Sequence, residues 1–227
     1  MLNLKLKKNI KLLVTADGGA ASGKTTGAKM ISKKYGLNFL SSGLLYRYVS
    51  YKLLSKKNIK NKSIYLKSIT KNITPNKLKN NKLFHPKVTQ QTAVIAKAKN
   101  IRNLLKKYQR KFAKQRLVCI EGRDIGTVIC PKADIKIFFK CSLNIKAKRR
   151  LNDLKKINKK ITLREVKKAL KKRDLIDTKR KNSPLRLPLS AYIVDTSKID
   201  KKQMLKKLSR IVDKKLLIKY GRSYKTK

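Results

Sequence analysis

The sequence predicts an α/β fold, a parallel sheet covered by helices on both faces. Short apolar runs of strand length alternate with longer stretches of helical period, a glycine-rich turn joins the first run to the first helix, and capping signals mark later helices. Strands separated by helical stretches require crossover connections, and crossovers of that kind make parallel neighbours.

Taken in order, Ile10–Ala16 (IKLLVTA) predicts a short buried strand ending at Asp17 and the glycine-rich turn. Ala28, Met30 and Ile31 suit a helix over 24–35, stopped by Gly36. Asn38–Leu40 is a brief strand candidate, after which Ser41 and Ser42 are placed to cap a helix through Leu44, Leu45, Val49 and Leu53. Residues 56–88, rich in Lys and Asn and carrying Pro75 and Pro86, predict a loosely structured insert with one or two helices. Residues 89–114 have helical character, with Ile95, Ile101, Leu104, Leu105 and Phe112 on one side. A strand at Leu117–Ile120 opens into Glu121-Gly122-Arg123-Asp124, and another at Ile135–Phe139 precedes a very basic helix over about 142–156. Thr162-Leu163-Arg164-Glu165 matches a capping box, in which two side chains satisfy orphan amides reciprocally, so a helix begins there. After the turn at 184–188, Tyr192–Val194 makes the last strand, and residues 200–218 close the chain as an amphipathic helix through Met204, Leu205, Leu208, Ile211 and Val212.

Gly18-Gly19-Ala20-Ala21-Ser22-Gly23-Lys24-Thr25 fits the phosphate-loop pattern G-x-x-x-x-G-K-[ST] in full, between a strand and a helix as the pattern requires. Small residues let the backbone amides turn inward around a phosphate, and the helix N-terminus adds positive field. Lys24 reaches the outer phosphates of a nucleoside triphosphate, and a threonine hydroxyl, from Thr25 or Thr26, can join Mg²⁺.

Charge is the other conspicuous property. The 227 residues include 63 Lys or Arg against 11 Asp or Glu, a formal charge of +52. Of the bases 50 are Lys and 13 are Arg, accompanied by 15 Asn and 21 Ile; these residues have AT-rich codons, so compositional drift accounts for most of the excess as solvated surface. So basic a chain also attracts nucleic acid non-specifically, but its lysines are spread along the whole length rather than gathered into one arm. Leu, Ile, Val and Phe number 65, enough for a core. No apolar run approaches the ~20 residues of a membrane span, and lysines interrupt the first 14 residues, which excludes the pattern of a secretory leader and predicts a cytoplasmic protein. Cys119, Cys130 and Cys141 lack C-x-x-C spacing, which argues against a disulfide scaffold or zinc site and for packing in a reducing compartment. His85 is expected at the surface, and Phe138 and Phe139 in the core.

Three further segments follow the phosphate loop: Ser42-Gly43-Leu44-Leu45-Tyr46-Arg47, Gly122-Arg123-Asp124-Ile125-Gly126-Thr127, and Arg173-Asp174-Leu175-Ile176-Asp177-Thr178-Lys179-Arg180 before Pro184-Leu185. In order and spacing, from about residue 10 to 213, the chain resembles the bacterial cytidylate kinases. The resemblance implies a P-loop nucleoside-monophosphate kinase fold, a three-layer α/β/α arrangement with central parallel sheet, acceptor-binding insert and lid. It implies transfer of the ATP γ-phosphoryl group to CMP or dCMP, with Mg²⁺ as cofactor. One kinase domain would fill 1–227, with a core of about 8–55, 89–141 and 163–218, an insert of about 56–100, a lid of about 142–162 and a basic tail at 219–227. A monomer is expected.

By the same resemblance Ser42, Tyr46 and Arg47 serve the acceptor nucleotide, Arg102 and Asp124 face the cytosine, and Arg173 and Asp177 hold the ribose. Arg47, Arg123 and Arg180 take the CMP phosphate, and Arg149 and Arg150 lie in the ATP-binding lid. The residue types suit these jobs. Bringing two phosphorylated nucleotides together in line needs fixed cations such as Lys24, Arg123 and Arg180. A carboxylate accepting from the N4 amino group and an arginine at the ring edge complement cytosine and disfavour uracil, which presents an acceptor at that position. Six of the eleven acids (Asp17, Glu121, Asp124, Asp174, Asp177 and Asp195) lie in or beside these segments, although Asp174 and Asp177 could instead pair with cations one turn away on their helix.

Several positions depart from the family. Ser41 and Glu121 stand where Asp is usual; Glu121 keeps a carboxylate for Mg²⁺. Thr25-Thr26 replaces Gly-Thr, and the family's cytosine-contacting serine falls on Ala93, beside Thr92. The stretch between Arg47 and Val88 is short, so the insert's small antiparallel sheet is expected to be trimmed or absent. The competing readings are a P-loop kinase for UMP or AMP, and a basic nucleic-acid-binding P-loop protein, in which the acceptor arginines would have no purpose.

Overall fold

Leu12–Gly18 (β1), Asn38–Ser41 (β2), Leu117–Gly122 (β3), Ile135–Lys140 (β4) and Tyr192–Asp195 (β5) form one sheet in the order β2-β3-β1-β4-β5. In this computed structural model, which describes residues 6–56, 58–155 and 161–224, β1 pairs in parallel with both β3 and β4, and β4 with β5. The register sets Asp17 opposite Gly122 and Gly18 opposite Phe139, so the ends of three strands are level. β1 begins at Leu12 rather than Ile10 because its partner β3 begins at Leu117; Ile10 is buried just ahead of the pairing.

Side chains alternate across a strand. Leu12, Val14 and Ala16 join Leu117, Cys119, Ile135, Ile137, Phe139 and Val194 in one core with Ala28, Ile31 and Tyr35 of α1 (Lys24–Tyr35) and with Met204, Leu208, Val212 and Leu216 of α8 (Lys201–Tyr220). Phe139 and Cys119 are core residues as expected, and burial pushes the Cys119 thiol up to about 12. Between β3 and β4 the chain makes a single π turn, Ile125–Ile129, packed against β1. A helix-flanked, parallel α/β sheet is therefore the observed architecture.

Two compact units are distinguished, one formed by Met1–Leu40 and Gln115–Lys227, the other by Ser41–Lys114. The first also contains α6 (Leu143–Lys155) and α7 (Leu163–Lys179), packed on one another. α7 starts with the expected capping box: Glu165 accepts from the Thr162 amide at 2.8 Å and Thr162 Oγ1 from the Glu165 amide at 3.3 Å. Of the expected lid, residues 156–160 lie outside the described residues, as do residues 225–227 of the basic tail.

After β2 the described residues of the second unit form helices and turns with no strand. It comprises α2 (Ser42–Ser55), α3 (Lys62–Lys71), two 3₁₀ turns at Asn76–Lys79 and Asn81–Phe84, α4 (Pro86–Ile95) and α5 (Lys99–Ala113). The helical stretch expected over 89–114 is thus two helices. The break is stabilised locally: Arg102 donates to the Ala96 carbonyl at 3.0 Å, and Asn100 Oδ1 accepts from the Ile101 amide at 2.8 Å. His85 is exposed as expected, and its Nδ1 accepts from the Lys87 amide at 3.3 Å in front of Pro86. Among the described residues no helix is long and apolar enough to cross a membrane.

Candidate active site

In parallel α/β sheets, ligands gather beyond the carboxyl ends of the strands, and the predicted residues of the first unit lie there. β1 runs straight into the phosphate loop. Gly18 has φ 153°, and a Cβ on it would stand 2.5 Å from the Phe139 carbonyl oxygen, so the strand end admits only glycine. Ala21 follows in the left-handed region at φ 54°, where a side chain costs about 1–3 kcal/mol and persists only if its surroundings enforce it. α1 starts at Lys24 with no side chain capping its first amides and no acid in its first turn. The two capping boxes on α7 and α8 show that this chain caps helices elsewhere. The uncapped α1 terminus leaves its orphan N–H groups pointing at the loop, available to an anion.

Lys24 lies back across that loop, donating to the Gly19 carbonyl at 3.2 Å, with Glu121 Oε2 3.9 Å from its ammonium. Burial first, then the charge of Arg123, lowers its pKa to about 7, against the pull of Glu121. Thr25 Oγ1 donates to the same Glu121 oxygen at 3.0 Å. Two hard oxygen donors thus stand beside the phosphate cradle, a set suited to Mg²⁺, which is usually held by one or two protein groups plus substrate phosphates. No group of three or more His, Cys, Asp or Glu that could hold a metal occurs among the described residues.

Beyond the end of β3, Arg123 donates from Nε to Asp177 Oδ2 at 2.7 Å. Arg180 stands 3.5 Å from both Asp124 and Asp177. Burial pushes Asp177 up, but Arg123, Arg180 and Arg173 hold it below the ordinary carboxylate value. Arg173 is exposed on the same helix. Lys24, Glu121, Arg123, Asp124, Asp177 and Arg180 therefore share one charged cluster, in which the field of Arg123 reaches Lys24. Asp177 pairs with Arg180 one turn away, as the local alternative allows, but also with Arg123 just beyond the end of β3. Asp174 accepts from the Ala20 amide at 2.9 Å and pairs with Lys146 of α6.

Arg149 donates to Thr196 Oγ1 at 2.9 Å and to the Thr196 carbonyl at 2.7 Å, and Thr196 Oγ1 in turn donates to the Ser22 carbonyl at 3.0 Å. α6 is thereby linked to the phosphate loop through the residue that follows β5. Arg150 is half-buried on the same helix. A hollow of about 410 Å³ at this edge is lined by residues including Gly19, Ser22, Lys140, Lys146, Asp174 and Ser197.

The predicted residues of the second unit form a set of their own. Ser42 and Tyr46 are buried on α2. The Arg102 guanidinium lies 5.6 Å from the Tyr46 ring centroid. Arg47 donates to the Leu83 carbonyl at 2.9 Å and to Thr89 Oγ1 at 2.8 Å, over the Phe84 ring. Thr92 turns its hydroxyl to Val88 O at 2.6 Å and Ser50 Oγ at 3.1 Å, while Ala93 is exposed.

Sequence reasoning did not single out Lys146 or Thr196. Lys146 is one of 50 lysines, and nothing local marks it. Thr196 could have been flagged by its place directly after a predicted parallel strand.

A family profile described as Cytidylate kinase matches residues 14–214. The chain is 30% identical over 217 residues to a protein named cytidylate kinase from Caldanaerobacter subterraneus subsp. tengcongensis, covering 91% of this chain and 96% of the relative. It is 33% identical over 214 residues to one from Fusobacterium nucleatum subsp. nucleatum, covering 89% and 98%. Among solved structures, an uncharacterized protein from Eubacterium ventriosum shares the fold with a TM-score of 0.53 at 14% identity, covering 89% of this chain and 99% of that one.

Proposed function

The chain belongs to the cytidylate kinase family and is a nucleoside-monophosphate kinase acting on CMP; from that premise we propose that Lys24, Arg123 and Arg180 carry the transfer of the ATP γ-phosphoryl group to CMP or dCMP. The observation that supports it best is the shared cluster: Lys24 pairs with Glu121 at the end of β3 and feels the charge of Arg123, and Arg123 and Arg180 meet on the one carboxylate of Asp177. Phosphoryl transfer asks little covalent work of a protein, so fixed charge and alignment supply the rate.

In this reading residues 18–26 wrap the ATP phosphates with backbone amides, with Arg149 and Arg150 assisting from the lid helix. Lys24 exchanges its contact with the Gly19 carbonyl for the β- and γ-phosphates. Arg123 and Arg180 hold the CMP phosphate, whose dianion is already a nucleophile near neutral pH and needs no general base. Asp177 orients both arginines, and with Arg173 serves the ribose. Asp124 and Arg102 read the cytosine edge, and Ser42, Tyr46 and Arg47 serve the acceptor nucleotide. Thr25 and Glu121 would hold Mg²⁺, which would supply neutralising charge for the phosphoryl transfer.

Purified protein given ATP, Mg²⁺ and CMP, dCMP, UMP or AMP tests the proposal. CDP and dCDP should form at rates well above UDP. Equal rates with all four acceptors would remove the cytosine-reading role of Asp124, and no product from any would remove the function.

A further inference from the structure

Resting on that reading, we propose that Asp17 is a positioning residue: its buried carboxylate holds the Arg123-Asp124 dipeptide in register with the phosphate loop, so that one strand end aligns the groups serving both nucleotides. Asp17 is the penultimate residue of β1, immediately before Gly18, and has no exposed surface. Its two oxygens are both committed: Oδ1 accepts from the Ile125 amide at 2.9 Å and Oδ2 from the Gly126 amide at 2.7 Å. These amides open the π turn at Ile125–Ile129, where they would otherwise be orphaned.

The same residue also grips the dipeptide from its other side through the backbone. Asp17 pairs with Gly122 in the parallel ladder between β1 and β3. Arg123 and Asp124 are therefore the two residues between a backbone tie at Gly122 and a side-chain tie at Ile125 and Gly126, both made by Asp17. There is no slack on the far side. A Cβ on Gly126 would come within 3.2 Å of Asp17 Oδ2, 3.0 Å of Thr15 Oγ1 and 2.9 Å of Pro188 Cγ. Burial pushes the carboxyl up to about 7 while the Gly126 and Ile125 amides oppose that rise. The Asp17 carboxylate touches neither the loop amides nor a substrate in this scheme; it acts through Arg123 and Asp124.

Asp17→Asn keeps the shape, loses one acceptor and sets an NH₂ against a backbone N–H. It should lower kcat/KM for CMP by roughly 10- to 100-fold, the range a displacement of about 1 Å in a reacting geometry produces. ATP affinity, measured with a fluorescent ATP analogue without CMP, should stay within about twofold, because the β1 backbone and loop remain in the sheet. Val14→Ala, a buried change on the same strand, is the control: it should lower thermal stability and leave the CMP constants unchanged. If Asp17→Asn does not fold, Gly126→Ala displaces the same turn from outside and should produce the same split. A folded Asp17→Asn or Gly126→Ala with wild-type kcat/KM for CMP, or with equal losses for ATP and CMP, overturns the inference. Absence of CDP from the wild-type protein would instead overturn the function on which it rests.

Discussion

Arg123 and Asp177 are joined by a 2.7 Å hydrogen bond that ties the residue after β3 to the last turn of α7. Arg180 faces the same carboxylate from 3.5 Å, so one acid separates two guanidinium groups. The pair is mostly buried, and removing one partner leaves uncompensated charge.

Asp177→Ala should destabilise the protein by about 3 kcal/mol at pH 7, read from urea unfolding. The native environment holds Asp177 below its ordinary value. Its contribution is thus present at neutral pH and is lost as pH falls through the folded value. The gap between wild type and variant should narrow in acid; a gap independent of pH would contradict the pairing.

Lys24→Ala should cut kcat by at least 100-fold, the scale of losing one fixed charge at a reacting phosphate. Its ammonium is buried, and that burial lowers its pKa to about 7. The melting temperature should accordingly hold or rise as activity collapses, and a variant that unfolds instead would show that Lys24 is structural.

Nucleotide binding should be coupled to protonation of Lys24. With a pKa near 7, Lys24 is mainly neutral at pH 8, and a polyphosphate beside it favours the charged form. Calorimetry of ATP binding at pH 8 in buffers of different ionisation enthalpy should reveal uptake of close to ~1 proton, and little at pH 6. Lys24→Arg, whose side chain stays charged throughout, should abolish the uptake.

Asp124→Ala should raise the KM for CMP and shrink the preference for CMP over UMP by about tenfold or more, as expected when a buried acceptor that reads a substrate N–H is lost. Comparing kcat/KM for the two acceptors decides it. An unchanged ratio would remove Asp124 from base recognition and leave it a structural partner of Arg180, 3.5 Å away.

Features set by near neighbours are legible in the sequence. The phosphate loop, the helix starting at Lys24, the stop at Gly36 and the capping box at Thr162 each depend on a handful of adjacent residues, and all stand where expected. The break between α4 and α5 was not legible, because 89–114 keeps a helical pattern through it. Asp174 shows the same limit: Lys171, one turn back, offered a local partner, yet the carboxylate pairs with Ala20 and Lys146, 154 and 28 residues distant.

From the chain alone came the order of strands and helices, the anion-binding loop and the inventory of groups able to serve two nucleotides, since periodicity, capping and glycine content act over a few residues. Tertiary structure decided which acid meets which base. Thr25 with Glu121, Arg123 with Asp177 and Asp17 with Ile125 are separated by 96, 54 and 108 residues. With 63 cations available to 11 acids, composition permits almost any pairing. The sheet register and the docking of α7 select among them, because only groups carried to the same strand ends can share a hydrogen bond.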